Sequence, residues 1–524
     1  MPMVDVNGVG RFGIVSDIDA FELPPEVWSD GNNVRFQDGK VKKMPGQSAV
    51  FDPPSVAPYA LFPAPQNSVF YWIYCGLSAV YNVTGSTHDD MTHASGVNAV
   101  NTIPWTGGMF NGVMILNNGI DTPMMWNPGG AGNNLVDLTG FAARADACRI
   151  MRPFENYLMA FDVTISGVRY PYLTKWSQLA DPGAVPTSWD ETDATKDAGD
   201  SPKLADTPGY VLDALPLGNN LVIYKEDAIF GCQHIGGQFI FRIWKAIQEV
   251  GMLTHRCMCA LPKGRHFVVT NDDIIVHNLS SAESIIDKQV KRNVFNELDV
   301  SQIIAAHVVP NYAQKEVWFC YPSGAATWCD KALIWHYIDG TFSYRDLPGT
   351  FHANIGLVDE AADETWDADN EAWDDDVTIW DDRAFEGLTR DVLLADTVNT
   401  KLLRADETEQ FNGTNMTAFV ERTDLGIAGQ DREGNIKVDY AIRKMFRAVW
   451  IRATGSPFKV KLGTQQVRGG AVTWQTERTF TPGTDDKVDF IKSGVSIAIH
   501  FESTDNSSWT IEGYSLDIEL LGKF

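Results

Sequence analysis

A short unit recurs along this chain of 524 residues, and its recurrence limits the folds open to it. An apolar strand, a polar turn and a second strand occur at Val69–Tyr74 with Ala79–Val83, at Val113–Leu116 with Pro123–Trp126, and at Tyr157–Phe161 with Tyr172–Trp176. The three starts are 44 residues apart. A period of roughly 40–50 residues is that of a four-stranded propeller blade. One small sheet cannot bury both its faces, whereas a ring of such sheets buries each between two neighbours. Four more pairs follow: Leu221–Tyr224 with Ala228–Phe230, Phe267–Val269 with Ile274–Val276, Val317–Tyr321 with Lys331–Trp335, and Val392–Leu394 with Lys401–Arg404. Their intervals lengthen to 64, 46, 50 and 75 residues. The pattern predicts an all-β chain, an irregular β-propeller of about six to seven blades with an additional antiparallel β platform domain.

Three regions are expected. Residues 1–56 form an N-terminal segment in which Pro24-Pro25 breaks any helix and Asp38-Gly39 marks a tight hairpin; the segment is assigned to the platform. Residues 57–410 form the propeller, with insertions at about 170–207 and 359–382. Residues 411–524 carry alternating strands at Phe446–Ile451, Phe458–Leu462, Val472–Trp474, Val495–Phe501 and Trp509–Leu520, a sandwich-like platform domain. The best helical candidate is short, around Ala282–Val294. Asp90-Met91-Thr92 and Asp137-Leu138-Thr139 read as blade-closing turns, because Asp and Thr side chains bond nearby backbone.

The net charge is −26 and falls entirely within residues 1–410, since residues 411–524 hold 14 basic and 14 acidic side chains. Such a balance excludes a generally basic, phosphate-gripping surface. Asp359–Asp382 holds twelve acidic residues and no basic one, with Trp366, Trp373 and Trp380 seven apart and each followed by Asp. Asp367, Asp369 and Glu371 have the alternate spacing of a calcium loop, but Ala372 and Thr378 stand where that loop needs Gly and Glu. The preferred reading is a β-ribbon anchored by its tryptophans with its acids in water, so no metal and no cofactor is expected.

Seven cysteines without a Cys-x-x-Cys pair predict free thiols, and His255, Cys257 and Cys259 read as a strand with small buried side chains. No apolar run reaches the roughly 18 residues of a membrane span. The N-terminus lacks the basic start and apolar core of a secretory signal. Phosphate-loop, zinc-helix and nucleophile-elbow motifs are absent, and Ser503–Trp509 departs from a sialidase-type aspartate box and reads as a turn. No catalytic residue is assigned, and the chain is not expected to be an enzyme.

Three stretches carry a resemblance. The run Leu23-Pro24-Pro25-Glu26-Val27-Trp28-Ser29-Asp30-Gly31-Asn32-Asn33-Val34-Arg35-Phe36, the ribbon with Trp366, Trp373 and Trp380, and the ending Trp509-Thr510-Ile511-Glu512-Gly513-Tyr514-Ser515-Leu516-Asp517-Ile518-Glu519 together resemble the tail nozzle proteins of short-tailed bacteriophages. These are also called tail tubular protein B or packaged-DNA stabilisation proteins. The resemblance implies a structural virion protein of the tail, assembled in the host cytoplasm as a homohexamer below the portal. Its implied partners are the head-to-tail adaptor, tail fibre or spike proteins, and double-stranded DNA passing without sequence-specific binding; the host surface is a further candidate contact. The ring would retain the packaged genome and conduct it during ejection.

A conduit must let DNA slide, and an acidic lining repels phosphates that a basic lining would grip. On this reading Asp367, Asp369, Glu371, Asp374, Asp375, Asp376, Asp381 and Asp382 are the candidate channel or mouth segment. Trp366, Trp373, Trp380, Trp28 and Trp509 are the candidate structural anchors. The alternative is a glycan-binding or glycan-degrading propeller acting on a host surface.

Overall fold

Seven antiparallel blades follow one another around a common axis in the computed structural model, which describes residues 3–66, 69–85, 87–126, 134–237, 239–358, 390–431, 433 and 435–523. The first blade is built, from the axis outward, by Ala60–Gln66, Val69–Cys75, Val80–Thr84 and Thr87–Asp90. The next four repeat this order, beginning on Thr106–Phe110, Ala147–Phe154, Val211–Leu217 and Met258–Leu261. Every strand pair legible in the sequence is the second and third strand of a blade. Stretches of these strands are buried on both faces, as Val113–Asn117 is throughout, which is why they read as continuous apolar runs. The clusters between blades show the same logic: Ile73 and Cys75 of the first blade meet Met114, Leu116 and Trp126 of the second.

The sixth and seventh blades share a strand. Thr341–Gly356 completes the sixth blade, beside His307–Asn311, Glu316–Tyr321 and Cys329–His336. Its register shifts between Thr350 and His352, and its second half opens the seventh blade beside Asp391–Asp396 and Lys401–Ala405. The outer strand of that last blade comes from far upstream: Gln47–Ala49 pairs antiparallel with Lys401–Ala405, with Gln47 opposite Ala405. Residues from both sides of the propeller therefore build one blade, which latches the ring. The inner seam is closed by hydrogen bonds from Leu61 N–H to His352 Nδ1 (2.9 Å), from Asn354 Nδ2 to Leu61 O (2.9 Å) and from Trp72 Nε1 to Leu357 O (2.6 Å).

Two six-stranded sheets and a two-stranded one, Ile427–Gln430 with Ile436–Val438, lie outside the blades. One runs Val34–Gln37, Lys40–Lys43, Trp509–Lys523, Ile442–Gly455 and Lys487–Gly494, with Met3–Asn7 also on Trp509–Lys523. The other runs Asp30–Asn32, Ala418–Leu425, Ser496–Ser503, Phe458–Gln465 and Thr473–Trp474, with Arg478–Phe480 on Phe458–Gln465. Their inner faces meet through Phe458, Phe501, Trp509 and Tyr514, whose rings lie 5.7 Å (Phe458–Trp509) and 6.4 Å (Phe501–Tyr514) apart. The Asp38-Gly39 hairpin forms, with φ of 56° and 72°, the positive values of its tight turn.

Two local readings are corrected. The helical candidate at Ala282–Val294 is a strand at Ala282–Ser284 followed by a helix at Lys291–Glu297; its apolar positions Ile285, Ile286 and Val290 pack into the core from non-helical backbone. The N-terminal segment is also not uniform: its hairpin lies in the sandwich, whereas Gln47–Ala49 belongs to the last blade.

Candidate functional site at the propeller axis

Seven innermost strands leave a cavity of about 560 Å³ on the axis. Its wall is largely apolar, with Pro65, Phe70, Met109, Pro216, Pro310 and Ile355 among its residues. Proline recurs there for a backbone reason. The inner edge of an innermost strand has no neighbour, and a proline offers no N–H to that edge. Pro65, Pro153, Pro216 and Pro310 each stand one residue before the pair that closes the hairpin to the next strand.

The charged and imidazole side chains on this wall are Arg152, Asp213, Arg256, His352 and Arg390. Arg152 holds Asp213 through two parallel hydrogen bonds, Nε to Oδ1 (2.7 Å) and Nη2 to Oδ2 (2.8 Å), and gives a third to Gly107 O (2.8 Å). Asp213 is fully buried, which would raise its carboxyl, but Arg152 outweighs burial and holds it below the usual range. Arg256 lies on the same wall, and burial lowers its guanidinium to about 10. His352 accepts the Leu61 N–H at Nδ1, and burial pushes the ring well below its ordinary value, so it is neutral with its proton on Nε2.

Behind the fourth and fifth blades the Tyr224 hydroxyl sits between His266 Nδ1 (2.7 Å) and His277 Nε2 (2.9 Å). His266 Nε2 faces the Pro216 carbonyl (3.0 Å) and Leu279 N–H donates to His277 Nδ1 (3.2 Å). The partners fix one direction of donation, from Leu279 through His277, Tyr224 and His266 to Pro216. Both rings are neutral in it, and burial lowers each to about 4.

A second polar cluster locks the propeller to the sandwich. Arg35, on the hairpin strand Val34–Gln37, binds Glu316 of the sixth blade through Nε and through Nη2 (2.9 Å), and reaches Asp406 (2.9 Å). Asp406 also accepts from Arg345 Nη1 (2.9 Å) and Asn311 Nδ2 (2.9 Å). Arg345 adds a bond to Gly46 O (2.9 Å) and lies 4.7 Å from the centre of the Trp318 ring. Burial would raise Asp406, but the two guanidiniums outweigh it and hold the carboxyl below its usual range.

Of the residues singled out from sequence, Trp28 and Trp509 are buried in the sandwich. Trp28 Nε1 donates to Val9 O (2.6 Å) and Trp509 Nε1 to Ser503 Oγ (2.8 Å). Trp366, Trp373, Trp380 and the acids Asp367, Asp369, Glu371, Asp374, Asp375, Asp376, Asp381 and Asp382 lie outside the described residues. The Asp-x-Thr turn at residue 90 forms as read: Thr92 N–H donates to Asp90 Oδ1 (2.8 Å) and Val80 N–H to Thr92 Oγ1 (3.0 Å). Cys257 and Cys259 are buried free thiols raised by burial, and among the described residues no group of His, Cys, Asp and Glu is placed to hold a metal. The axial residues Arg152, Asp213, Arg256 and His352 were not anticipated; the recurring proline before a hairpin was the available signal.

No known protein family matches the chain, and no curated protein matches it. Among solved structures, PorZ, a surface component of the type-IX secretion system of Porphyromonas gingivalis, is similar at 7% identity and a TM-score of 0.36, over 85% of this chain and 46% of PorZ. The chain thus spans under half of that protein's length. The computationally designed protein Ika8 is similar at 10% identity and a TM-score of 0.36, over 75% of this chain and 99% of Ika8. A fungal alcohol oxidase of the AA5 family, in complex with copper, is similar at 8% identity and a TM-score of 0.39, over 90% of this chain and 92% of the oxidase. At these scores none of the three carries an argument about function.

Proposed function

We propose that the chain is the structural subunit of a hexameric tail nozzle, which continues a DNA channel below the portal and adaptor. The observation that carries the proposal is the resemblance of three ordered stretches, 23–36, the Trp366/Trp373/Trp380 ribbon and 509–519, to the nozzle proteins of short-tailed phages. Two further facts support it. Buried ion pairs join the propeller to the sandwich, which suits a subunit that repeats one geometry around a ring. The acidic excess of residues 1–410 suits a passage that repels phosphate, and the balanced charge of 411–524 suits packing against other subunits. Tail fibres and the host surface are contacts of the same proposal.

The test is electron microscopy of the protein with its adaptor. A closed six-fold ring with an open axial hole is the expected result. A protein that stays outside the adaptor assembly, or a ring whose lumen is basic, refutes the proposal. The glycan-degrading alternative has less support at the axis. Retaining and inverting glycosidases use a pair of carboxylates, and the carboxylate on the described part of this wall, Asp213, is held by Arg152.

A further inference from the structure

Arg256 has less hydrogen bonding than its burial demands. It stands on the axial wall with 8% of its surface exposed, and neither Nε nor Nη2 has a hydrogen-bond partner among the described residues. Nη1 reaches the Phe351 carbonyl at 3.5 Å, and the guanidinium carbon lies 5.4 Å from the centre of the Phe351 ring. The acid on the same wall is already committed: Asp213 takes two bonds from Arg152 and one from Ala214 N–H (2.8 Å). A desolvated guanidinium without a carboxylate is costly, and native structures rarely leave one so.

Three neighbouring facts give the vacancy a chemistry. His352 lines the same cavity, with Nδ1 taken by Leu61 N–H and no hydrogen bond from its Nε2–H among the described residues. Arg256 is held at φ 61°, a left-handed backbone unusual for a non-glycine residue, with its carbonyl fixed by Val308 N–H (2.9 Å). Such strain persists where the surroundings enforce it, and functional sites are a common place. The rest of the wall is mainly proline, methionine and aromatic carbon. A cavity of about 560 Å³ falls within the usual range for small-molecule sites.

We propose that the propeller axis binds a small organic carboxylate, whose oxygens take the donors of Arg256 and His352 while its apolar body lies against Pro65, Met109, Pro216 and Tyr312. A planar carboxylate matches the fork of a guanidinium. A bare phosphate has no apolar body to lie against the proline, methionine and aromatic carbon of this wall. The site lies within one propeller and is independent of the nozzle reading.

Isothermal titration of the full chain tests this, with benzoate as the probe, benzyl alcohol as its neutral counterpart and inorganic phosphate as the bare anion. Benzoate should bind, and the other two at least about tenfold more weakly, the discrimination of a charge-assisted contact. Arg256→Met should weaken benzoate by roughly ten- to hundredfold. That variant removes an unpaired buried cation, so its circular dichroism and melting point should match or exceed those of the wild type. Met109→Trp fills the cavity with Arg256 in place and should also abolish binding in a folded protein. Three results overturn the proposal: no benzoate binding at millimolar concentration, equal benzoate affinity in wild type and folded Arg256→Met, or phosphate binding as tightly as benzoate.

Discussion

Asp406→Ala is the substitution that most directly probes how the ring is latched. The carboxylate lies between two buried cations, Arg35 and Arg345, each at 2.9 Å, and their side chains are 6% and 0% exposed. With Glu316 the four side chains are electrically balanced. Removing Asp406 leaves two guanidiniums facing one carboxylate, and takes from Asn311 its acceptor. Arg345 would keep only Gly46 O and the face of Trp318. Breaking a buried ion pair by deleting one partner costs about 3–5 kcal/mol. At about 1.4 kcal/mol per tenfold change, opening of this junction should become more frequent by two to four powers of ten.

The elements that depend on the junction are known. Gly46 precedes Gln47–Ala49, and Asp406 follows Lys401–Ala405, the two strands that close the last blade. Hydrogen exchange by mass spectrometry should therefore show faster exchange in peptides covering 47–50 and 401–405, with less change in the second and third blades. Arg345→Met added to Asp406→Ala removes one cation with the anion and should recover part of the loss. Exchange within tenfold of the wild type in those two strands would refute the charge argument, as would an equal acceleration in every blade. The sign of the acid dependence follows. Asp406 is held below its unfolded value of about 3.9, so its contribution is complete above that pH and is lost as pH falls through the lower folded value.

Two other outcomes test the buried polar groups. His266 and His277 lie at about 4 against about 6.5 when unfolded, so their neutral forms favour the fold above pH 6.5 and the unfolded chain gains as pH falls towards 4. The unfolding free energy from urea titrations should fall across that window by up to about 3 kcal/mol per histidine, and a His266→Gln/His277→Gln protein should show a flatter profile; an equally steep profile in the variant would rule the pair out as its source. All seven cysteines are buried and free, so the native protein should resist iodoacetamide and the denatured protein should take seven labels; native labelling of even one would contradict the packing.

What could be read from the sequence follows from what each strand buries. The second and third strands of the blades bury apolar stretches between neighbours, and those stretches marked them, from Val69–Cys75 to Lys401–Ala405. Outer strands such as Val136–Asp137 and Ala282–Ser284 are short and exposed, and leave no apolar trace. The latch was invisible for a different reason: Gln47–Ala49 is a non-local partner, and nothing in three residues names a strand more than 350 positions away. Glycine held a signal that went unused. Gly199, Gly231 and Gly463 lie directly opposite Trp176, Trp244 and Trp474, and a Cβ on each glycine would fall within 3 Å of the ring. Tryptophan covers a glycine across the strand pair, so spacing between the two depends on turn length and does not repeat.

The axis was missed because its signature lies in the backbone. Seven strands present an unpaired edge inward, and an N–H there needs water, a ligand or no hydrogen at all. In four blades a proline before the hairpin supplies the last solution. Where proline removes donors and apolar side chains cover the wall, a remaining donor is conspicuous. Arg152 is conspicuous and answered, by Asp213. Nε and Nη2 of Arg256 and the Nε2–H of His352 find no partner among the described residues. A ring that served only as scaffold would lose little with a leucine in place of Arg256, since exchanging buried charge for apolar packing is commonly neutral or stabilising. A cation retained on so apolar a wall fits the anionic ligand proposed for the axis.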